Sequence, residues 1–239
     1  MKVIGHRGAA GLALENSSDS ITAALKYDLE AIEFDVRLTA DGHVVVMHDP
    51  HTKRVASEKV HVRRKTLTEL RGLALHNEQT IPTLDDVLDI IKNGRVMIDI
   101  KARGTAEALP PILKRHPGIT PSFSSFVHEE LVTAHRLFPK AKIYVGEHFS
   151  PLEIIHTARR LHADGITLNK WLMNPLTYRL AHRYNLEFFV YTLNSRSLAR
   201  FYEILYPGVT ICTDHPERFA KPKKRFKQSP TLATKANSK

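Results

Sequence analysis

Glu33 and Asp35 stand two positions apart in a run whose other members, Ile32, Phe34 and Val36, are apolar. Side chains alternate along a β-strand, so this spacing turns both carboxylates to one side and the three apolar residues to the other. Thr39-Ala40-Asp41-Gly42 is a turn signal, and a second β-rich run, Val44 to Met47, follows it at once. A connection this short joins antiparallel neighbours, because a parallel return needs a crossover of about a dozen residues or more. The second strand therefore folds back beside the first and returns His48 and Asp49 to the carboxylates. Two hard oxygen donors and an imidazole that exchanges protons near neutral pH suit a divalent cation working with acid–base chemistry. An ordinary hairpin with a polar wet face is the plain alternative for this stretch taken alone.

The elements around the hairpin decide between these readings. Val3 to His6 is a short apolar strand that ends in His6-Arg7-Gly8, where the glycine permits a sharp turn. Ser17 or Ser18 caps a helix carrying Ile21, Ala24 and Leu25 and running to about Tyr27. Thr83 caps another, with the stripe Leu84, Val87, Leu88 and Ile91 stopped at Asn93-Gly94. The strand from Arg95 to Lys101 then puts Asp99 and Lys101 on one face, repeating the design of Glu33 and Asp35. Helices are expected over 105–115, 128–138, 151–161, 174–184 and 195–206, and strands over 119–124, 142–146, 165–168, 188–192 and 209–213. Setting aside the returning strand 43–47, eight strands alternate with helices, which predicts an α/β fold, a (β/α)8 TIM barrel over residues 1–220 with a small insertion after strand 2. Active sites of this fold lie at the carboxyl ends of the strands. His6-Arg7, Glu33 and Asp35, Asp99 and Lys101, Tyr191 to Asn194, and Thr213-Asp214 all fall at such ends. Phe126 and Trp171 lie on the same side, as pocket or as packing residues.

Residues 49–80, the insertion, are basic (His51, Lys53, Arg54, Lys59, His61, Arg63, Arg64, Lys65) and short of apolar periodicity, apart from a short helix near Leu67 to Leu73. They read as a loop at the barrel mouth that either holds an anionic head group or is simply solvated.

The chain has 239 residues and a net charge of +10, but seven of its basic residues follow position 220 in a segment without a single acid. That segment, 221–239, is expected to be a disordered basic tail, solvated or in weak contact with an anionic membrane. No zinc-finger spacing, Walker loop or RNP pattern points to a specific nucleic acid. The lone cysteine, Cys212, excludes an internal disulfide and suits a reducing compartment. With no secretory signal at its start and no apolar run of about 18 residues, a cytoplasmic protein is expected. Among the 14 histidines, His116, His128, His135, His156, His162 and His182 lie in or beside helices and read as surface or core residues. Nothing in the sequence speaks to oligomeric state.

His6-Arg7-Gly8, Glu15-Asn16, Glu33-x-Asp35, Thr39-x-Asp41-Gly42, His48-Asp49, Ile81-Pro82-Thr83-Leu84, Asp99-x-Lys101, Ser124-Ser125-Phe126 and Thr213-Asp214-x-Pro216 occur together. In order and spacing they resemble the glycerophosphodiester phosphodiesterases, a family similar in fold and site to phosphoinositide-specific phospholipases C and sphingomyelinase D-type enzymes. The resemblance runs from about Val3 to Phe219. It implies one divalent cation, Mg²⁺ or Ca²⁺, held by Glu33, Asp35 and Asp99, with Asp99 standing where the family more often has Glu. It implies His6 and His48 as the proton-transfer pair, His6 as base and His48 as acid or the reverse. Arg7 and Lys101 would neutralise phosphoryl oxygens, Glu15 would order Arg7, and Tyr191 and Phe126 would contact substrate. The implied reaction is hydrolysis of a glycerophosphodiester to glycerol 3-phosphate and an alcohol. The alternatives are a lysophospholipase D-type reaction on lysophospholipids and a non-catalytic barrel that binds anionic lipid or nucleic acid.

Overall fold

The alternating run folds as β2 (Ala31–Leu38), preceded by β1 (Lys2–Gly5) and α1 (Ser18–Ala24) and followed by the short β3 (Val44–Val46), in a computed structural model that describes residues 1–147 and 150–224. Phe34 and Val36 are wholly buried on the helix-facing side, as the period of two requires. After the insertion, which contributes α2 (Leu67–Arg71), strands and helices alternate: α3 (Leu84–Ile91), β4 (Gly94–Ile100), α4 (Leu109–Arg115), β5 (Ile119–Ser125) and α5 (His128–Leu137). The series continues with β6 (Ile143–Glu147), α6 (Pro151–Arg160), β7 (Gly165–Asn169), α7 (Pro175–Arg183), β8 (Glu187–Tyr191), α8 (Arg196–Leu205) and β9 (Thr210–Thr213). Local signals act as expected at the best-marked boundary. Thr83 Oγ1 accepts from the Asp86 amide while the Asp86 carboxylate accepts from the Thr83 amide at 2.8 Å, a capping box that starts α3.

Eight parallel strands close into a (β/α)8 barrel. β1 pairs with β2 through Ile4↔Ala31 and Gly5↔Ile32 on one side, and with β9 through Val3↔Ile211 and Ile4↔Cys212 on the other. β3 stands outside the ring. It runs antiparallel to β2 through Val36↔Val46 and Leu38↔Val44, on residues beyond those that β1 uses. β3 thus extends the sheet past the end of β1, at the height where Asp35 pairs with Asp99 of β4. Apolar side chains fill both faces of the barrel. The outer layer packs against the helices, and inside the ring Ile4, Met97, Tyr144, Phe189 and Cys212 form a separate cluster.

The insertion differs from a solvated loop. Val55, Ala56, Val62, Leu70 and Leu75 are buried and pack with Val45, Met47 and Ile81 into a second core of their own. Two short 3-10 turns, Thr52–Arg54 and Val62–Arg64, and bridges His51↔His61 and Ala56↔Leu75 hold this unit together. Irregular backbone follows neither the 3.6 nor the 2.0 period, so its buried residues leave no pattern in the sequence.

At the other end, the Asp28 amide donates to Lys221 O and the Lys223 amide to Lys26 O, both at 2.8 Å, so the chain stays attached beyond Ala220. The rest of the expected basic tail, residues 225–239, lies outside the described residues. Among the described residues no helix is long and apolar enough to cross a membrane.

Leu70 is fully buried in the second core, so Leu70→Ala should lower unfolding free energy by about 2–5 kcal/mol in urea denaturation. A change within about 0.5 kcal/mol, typical of exposed positions, would show that the insertion is not packed.

Candidate active site

β2 and β4 are in register at Asp35↔Asp99, and Glu33 lies two residues earlier on the same inward face, so three carboxylates converge at one rim of the barrel. Glu33, Asp35 and Asp99 are 5%, 1% and 8% exposed, and one oxygen from each lies within 4.8 Å of the others. Such a cluster repels itself unless cations compensate it. Lys101 Nζ reaches Asp99 Oδ2 at 2.7 Å and Asp35 Oδ1 at 3.1 Å, while Arg7 Nε lies 3.3 Å from Asp35 Oδ2. Asn16 donates from Nδ2 to Asp35 Oδ2 at 2.8 Å.

Compensation is uneven. Burial works against ionised Asp35, but Lys101 and Arg7 outweigh it and hold that carboxyl below its usual range. The Glu33 carboxylate has, among the described residues, one hydrogen bond, from the Arg7 amide at 2.7 Å from Oε2, and burial together with the charge of Asp35 pushes it up to about 7. Asp99 Oδ1 is buried with no hydrogen-bond partner among the described residues. Three hard oxygen donors, one of them orphaned, fit a divalent cation, because ligands about 2.0–2.6 Å from one ion are at most about 5 Å apart. Asp99 meets that condition despite being one methylene shorter than Glu.

Both imidazoles line the cavity beside the carboxylates. Each is anchored through Nδ1: His6 to Asp214 Oδ1 at 2.6 Å and His48 to Asp49 Oδ1 at 2.7 Å. An ionised carboxylate only accepts, so Nδ1 carries the proton in both rings and Nε2 is left for the cavity. The electrostatic settings differ. At His6 burial works downward, but the bond to Asp214 and the charge of Glu33 raise it above the ordinary value. His48 is lowered by burial and by Arg7 and Lys101, against the pull of Asp35.

The turn after β1 depends on one glycine. Gly8 has φ +82°, and a Cβ there would come within 2.6 Å of Ser20. That turn lets the Arg7 amide donate to the Glu33 carboxylate and the Gly8 amide to the Glu33 backbone carbonyl, and leaves the Arg7 guanidinium lining the cavity.

Seven of the remaining expectations divide cleanly. Lys101, Phe126 and Tyr191 line the cavity, with the two rings edge to face at 6.4 Å. The Lys101 ammonium already sits over Phe126, 5.0 Å from its centroid. Glu15, expected to order Arg7, does not line this cavity and so is not placed as a substrate contact: Arg7 Nη1 donates to its Oε1 at 2.7 Å and Arg54 takes both of its oxygens. Trp171 neither lines the pocket nor packs, being 81% exposed, and Asn169 lines the cavity in its place. Cys212 is buried at the cavity floor, where burial raises its thiol pKa. His128 takes up Gly146 O with its ring and stays outside the cavity.

Several of the pairings were not expected from sequence, although Asp214 and Asn194 were placed at strand ends on the barrel mouth. Asp214 is 208 positions from His6, and only the pairing of β1 with β9 brings them together. Asn194 donates from Nδ2 to Asp214 Oδ2 at 2.7 Å. Arg37 reaches up from β2 to donate to His48 O and Lys101 O, at 2.8 and 3.3 Å. Asp49 and Asn16 belong to the His48-Asp49 and Glu15-Asn16 motifs, but their bonds to His48 and Asp35 were not expected from sequence.

Comparison with known proteins agrees with this geometry. The pattern of the glycerophosphoryl diester phosphodiesterase family matches residues 6–218. A glycerophosphodiester phosphodiesterase of Bacillus subtilis is 29% identical over 260 residues, covering 93% of this chain and 86% of that protein. The structure of an Oleispira antarctica phosphodiesterase in complex with the product sn-glycerol-3-phosphate superposes with a TM-score of 0.85 at 25% identity, over 91% of this chain and 94% of that one. A glycerophosphodiester phosphodiesterase of Parabacteroides distasonis gives 0.77 at 28% identity, over 91% and 94%.

Glu33 holds its proton up to about pH 7, so a cation binding there must displace that proton at lower pH. Titration calorimetry with Mg²⁺ or Ca²⁺ should show affinity weakening as pH falls below 7, with proton release visible as a buffer-dependent enthalpy. Glu33→Gln should remove the proton release and weaken binding; affinity independent of pH between 5 and 7 would contradict this site.

Proposed function

Because the chain belongs to the glycerophosphoryl diester phosphodiesterase family, we propose that it hydrolyses glycerophosphodiesters to glycerol 3-phosphate and an alcohol, with one divalent cation and two histidines. The observation that carries this reading is the triad of buried carboxylates, ligand atoms within 4.8 Å, beside two imidazoles each fixed through Nδ1. Glu33, Asp35 and Asp99 would hold the Mg²⁺ or Ca²⁺ ion, which when bound supplies a Lewis acid for a phosphoryl oxygen.

The chain's own groups do the rest. Three carboxylates face the two fixed cations Arg7 and Lys101, so a dication leaves the site with one surplus positive charge, matching the single negative charge of a phosphodiester. Arg7 and Lys101 orient the diester as charge-assisted donors. His6 Nε2 takes the proton of the nucleophile, water or the glycerol 2-hydroxyl, and His48 Nε2 gives a proton to the departing alcohol oxygen; where the 2-hydroxyl attacks, a water then opens the resulting cyclic phosphate to glycerol 3-phosphate. Asp214 and Asp49 keep both rings in the tautomer that leaves Nε2 facing the cavity. The aromatic pair Phe126 and Tyr191 supplies a wall for the substrate's organic part, although the Lys101 ammonium on the Phe126 face makes it a poor cage for a second cation such as choline.

The direct test is release of glycerol 3-phosphate from a panel of glycerophosphodiesters, and from lysophosphatidylcholine as the one-acyl arm. Release should require Mg²⁺ or Ca²⁺ and stop with chelator; no release from any diester with either ion overturns the function.

The proton roles separate with a leaving group that needs no acid. His6→Ala should lose about 10²- to 10⁴-fold on every diester. His48→Ala should lose as much on ordinary alcohol esters but little on a 4-nitrophenyl ester, whose phenolate departs unprotonated. Equal losses for His48→Ala on both esters remove it as the acid, and the opposite pattern exchanges the two roles.

A further inference from the structure

The two halves of the site are joined outside the cavity by one side chain of the insertion. Arg54 Nε donates to Asp49 Oδ2 at 2.8 Å, Nη2 donates to Glu15 Oε1 at 2.8 Å, and Nη1 bonds Glu15 Oε2. The remaining Asp49 oxygen anchors His48 Nδ1 at 2.7 Å, and Glu15 Oε1 also accepts from Arg7 Nη1 at 2.7 Å. A continuous chain of charge-assisted bonds therefore runs from His48 through Asp49, Arg54 and Glu15 to Arg7. We infer that Arg54 is a positioning residue, setting the orientation of the His48 ring through Asp49 and of the Arg7 guanidinium through Glu15.

Three features set this contact apart from an ordinary surface ion pair. The guanidinium spends three donors on two carboxylates, and its planar fork fixes direction as well as charge. Both acceptors are mostly buried, at 15% and 21% side-chain exposure, and each already serves a residue that lines the cavity. The backbone that carries Arg54 is itself held. Thr52, in the same 3-10 turn, is fully buried and bonds Val60 in both directions, its amide to Val60 O and its hydroxyl oxygen from the Val60 amide, each at 3.0 Å. Val55, the next residue, is buried in the insertion's core and its carbonyl accepts from the His76 amide.

Without Arg54, the Asp49 carboxylate keeps its single bond to His48 but loses the contact that fixes its plane. Glu15 likewise keeps Arg7 but is no longer held from behind, which frees Arg7 to fold onto Asp35. An ammonium cannot replace the fork, since one compact charge on a flexible stem cannot present three coplanar donors to two carboxylates.

This inference rests on the roles proposed above for His48 and Arg7, and the test separates the two. In the full-length protein with Mg²⁺, Arg54→Ala should lower kcat/KM for glycerol 3-phosphate release by about 10- to 100-fold, the scale seen for groups that orient catalytic ligands from behind. Most of the loss should fall in kcat through His48, with a smaller rise in KM through Arg7. Added guanidinium ion should restore part of the rate, whereas sodium at equal ionic strength should not. Activity within twofold of the parent, or a loss that guanidinium leaves untouched, overturns the inference. If Arg54→Ala does not fold, Arg54→Lys carries the same test, with a loss expected and parental kinetics overturning it. A second readout needs no turnover: the downfield Nδ1–H proton of His48, identified by its absence in His48→Asn, should broaden or vanish in Arg54→Ala, and its persistence unchanged overturns the inference. A parent protein that hydrolyses no diester counts against the proposed function, while that resonance still decides the clamp.

Discussion

The constraint on which the rest of the molecule depends is the burial of three carboxylates within 4.8 Å of one another. Moving even one ionised carboxylate out of water costs several kcal/mol in a real protein, so three together demand fixed compensation. Arg7 from the turn after β1 and Lys101 from the end of β4 provide two positive charges, and Asn16 adds a hydrogen bond from the loop before α1. The debt that remains shows at Glu33, pushed up to about 7, and at Asp99 Oδ1, buried and unpartnered among the described residues. Such a residual imbalance would favour a dication, since a fully neutralised cluster would have little to gain from one.

Holding those groups in place explains why the fold is elaborated at one end. A plain barrel would deliver β1, β2 and β4 to the rim but no residue above Asp35 on the β1 side. β3 supplies that position by pairing with β2 where β1 has ended, and the chain leaving β3 carries His48 and Asp49. The insertion then turns back over the rim with a core of its own, so Arg54 meets Glu15 and Asp49 from a packed base. Arg37 fastens the same region from below through the carbonyls of His48 and Lys101. Loop, hairpin and strand ends thus form one hydrogen-bonded rim around the carboxylates.

Much of this was legible in the sequence because it depends on period and position. The period of two put Glu33 and Asp35 on one face with Phe34 and Val36 on the other, and the alternation of strand and helix gave the barrel and the carboxyl-end location of the candidate site. What stayed hidden follows from closure and irregularity. Asp214 meets His6 only because the first and last strands pair, a contact that spacing along the chain does not encode. Trp171 read as a pocket or packing residue from its place after β7, but it is 81% exposed, which strand-end position alone does not determine. In the insertion, Val55, Val62 and Leu75 bury themselves without any helical or strand period, so a basic, largely aperiodic stretch read as a surface loop, head-group-binding or solvated, rather than as a packed unit.

The same reasoning bears on the two histidines, which share one design yet occupy different fields. Each is anchored at Nδ1 by an aspartate carried on a different loop, so neither ring's orientation depends on the other. His6 lies toward the carboxylates and is drawn up by Asp214 and Glu33, whereas His48 is held down by burial and by the cations Arg7 and Lys101. Groups whose environments push their proton affinities apart are suited to opposite halves of a proton-transfer pair. The direction of that split is tied to the charge on the carboxylates. With Glu33 ionised and uncompensated, His6 gains a partner for its proton, and any positive charge that satisfies Glu33 withdraws that support and frees His6 Nε2 to accept. At His48 the corresponding support comes from Asp35, and Asp49 remains to hold a proton on its ring. The charge on the acidic cluster and the proton affinity of the two imidazoles are therefore linked, through Glu33 at His6 and through Asp35 at His48.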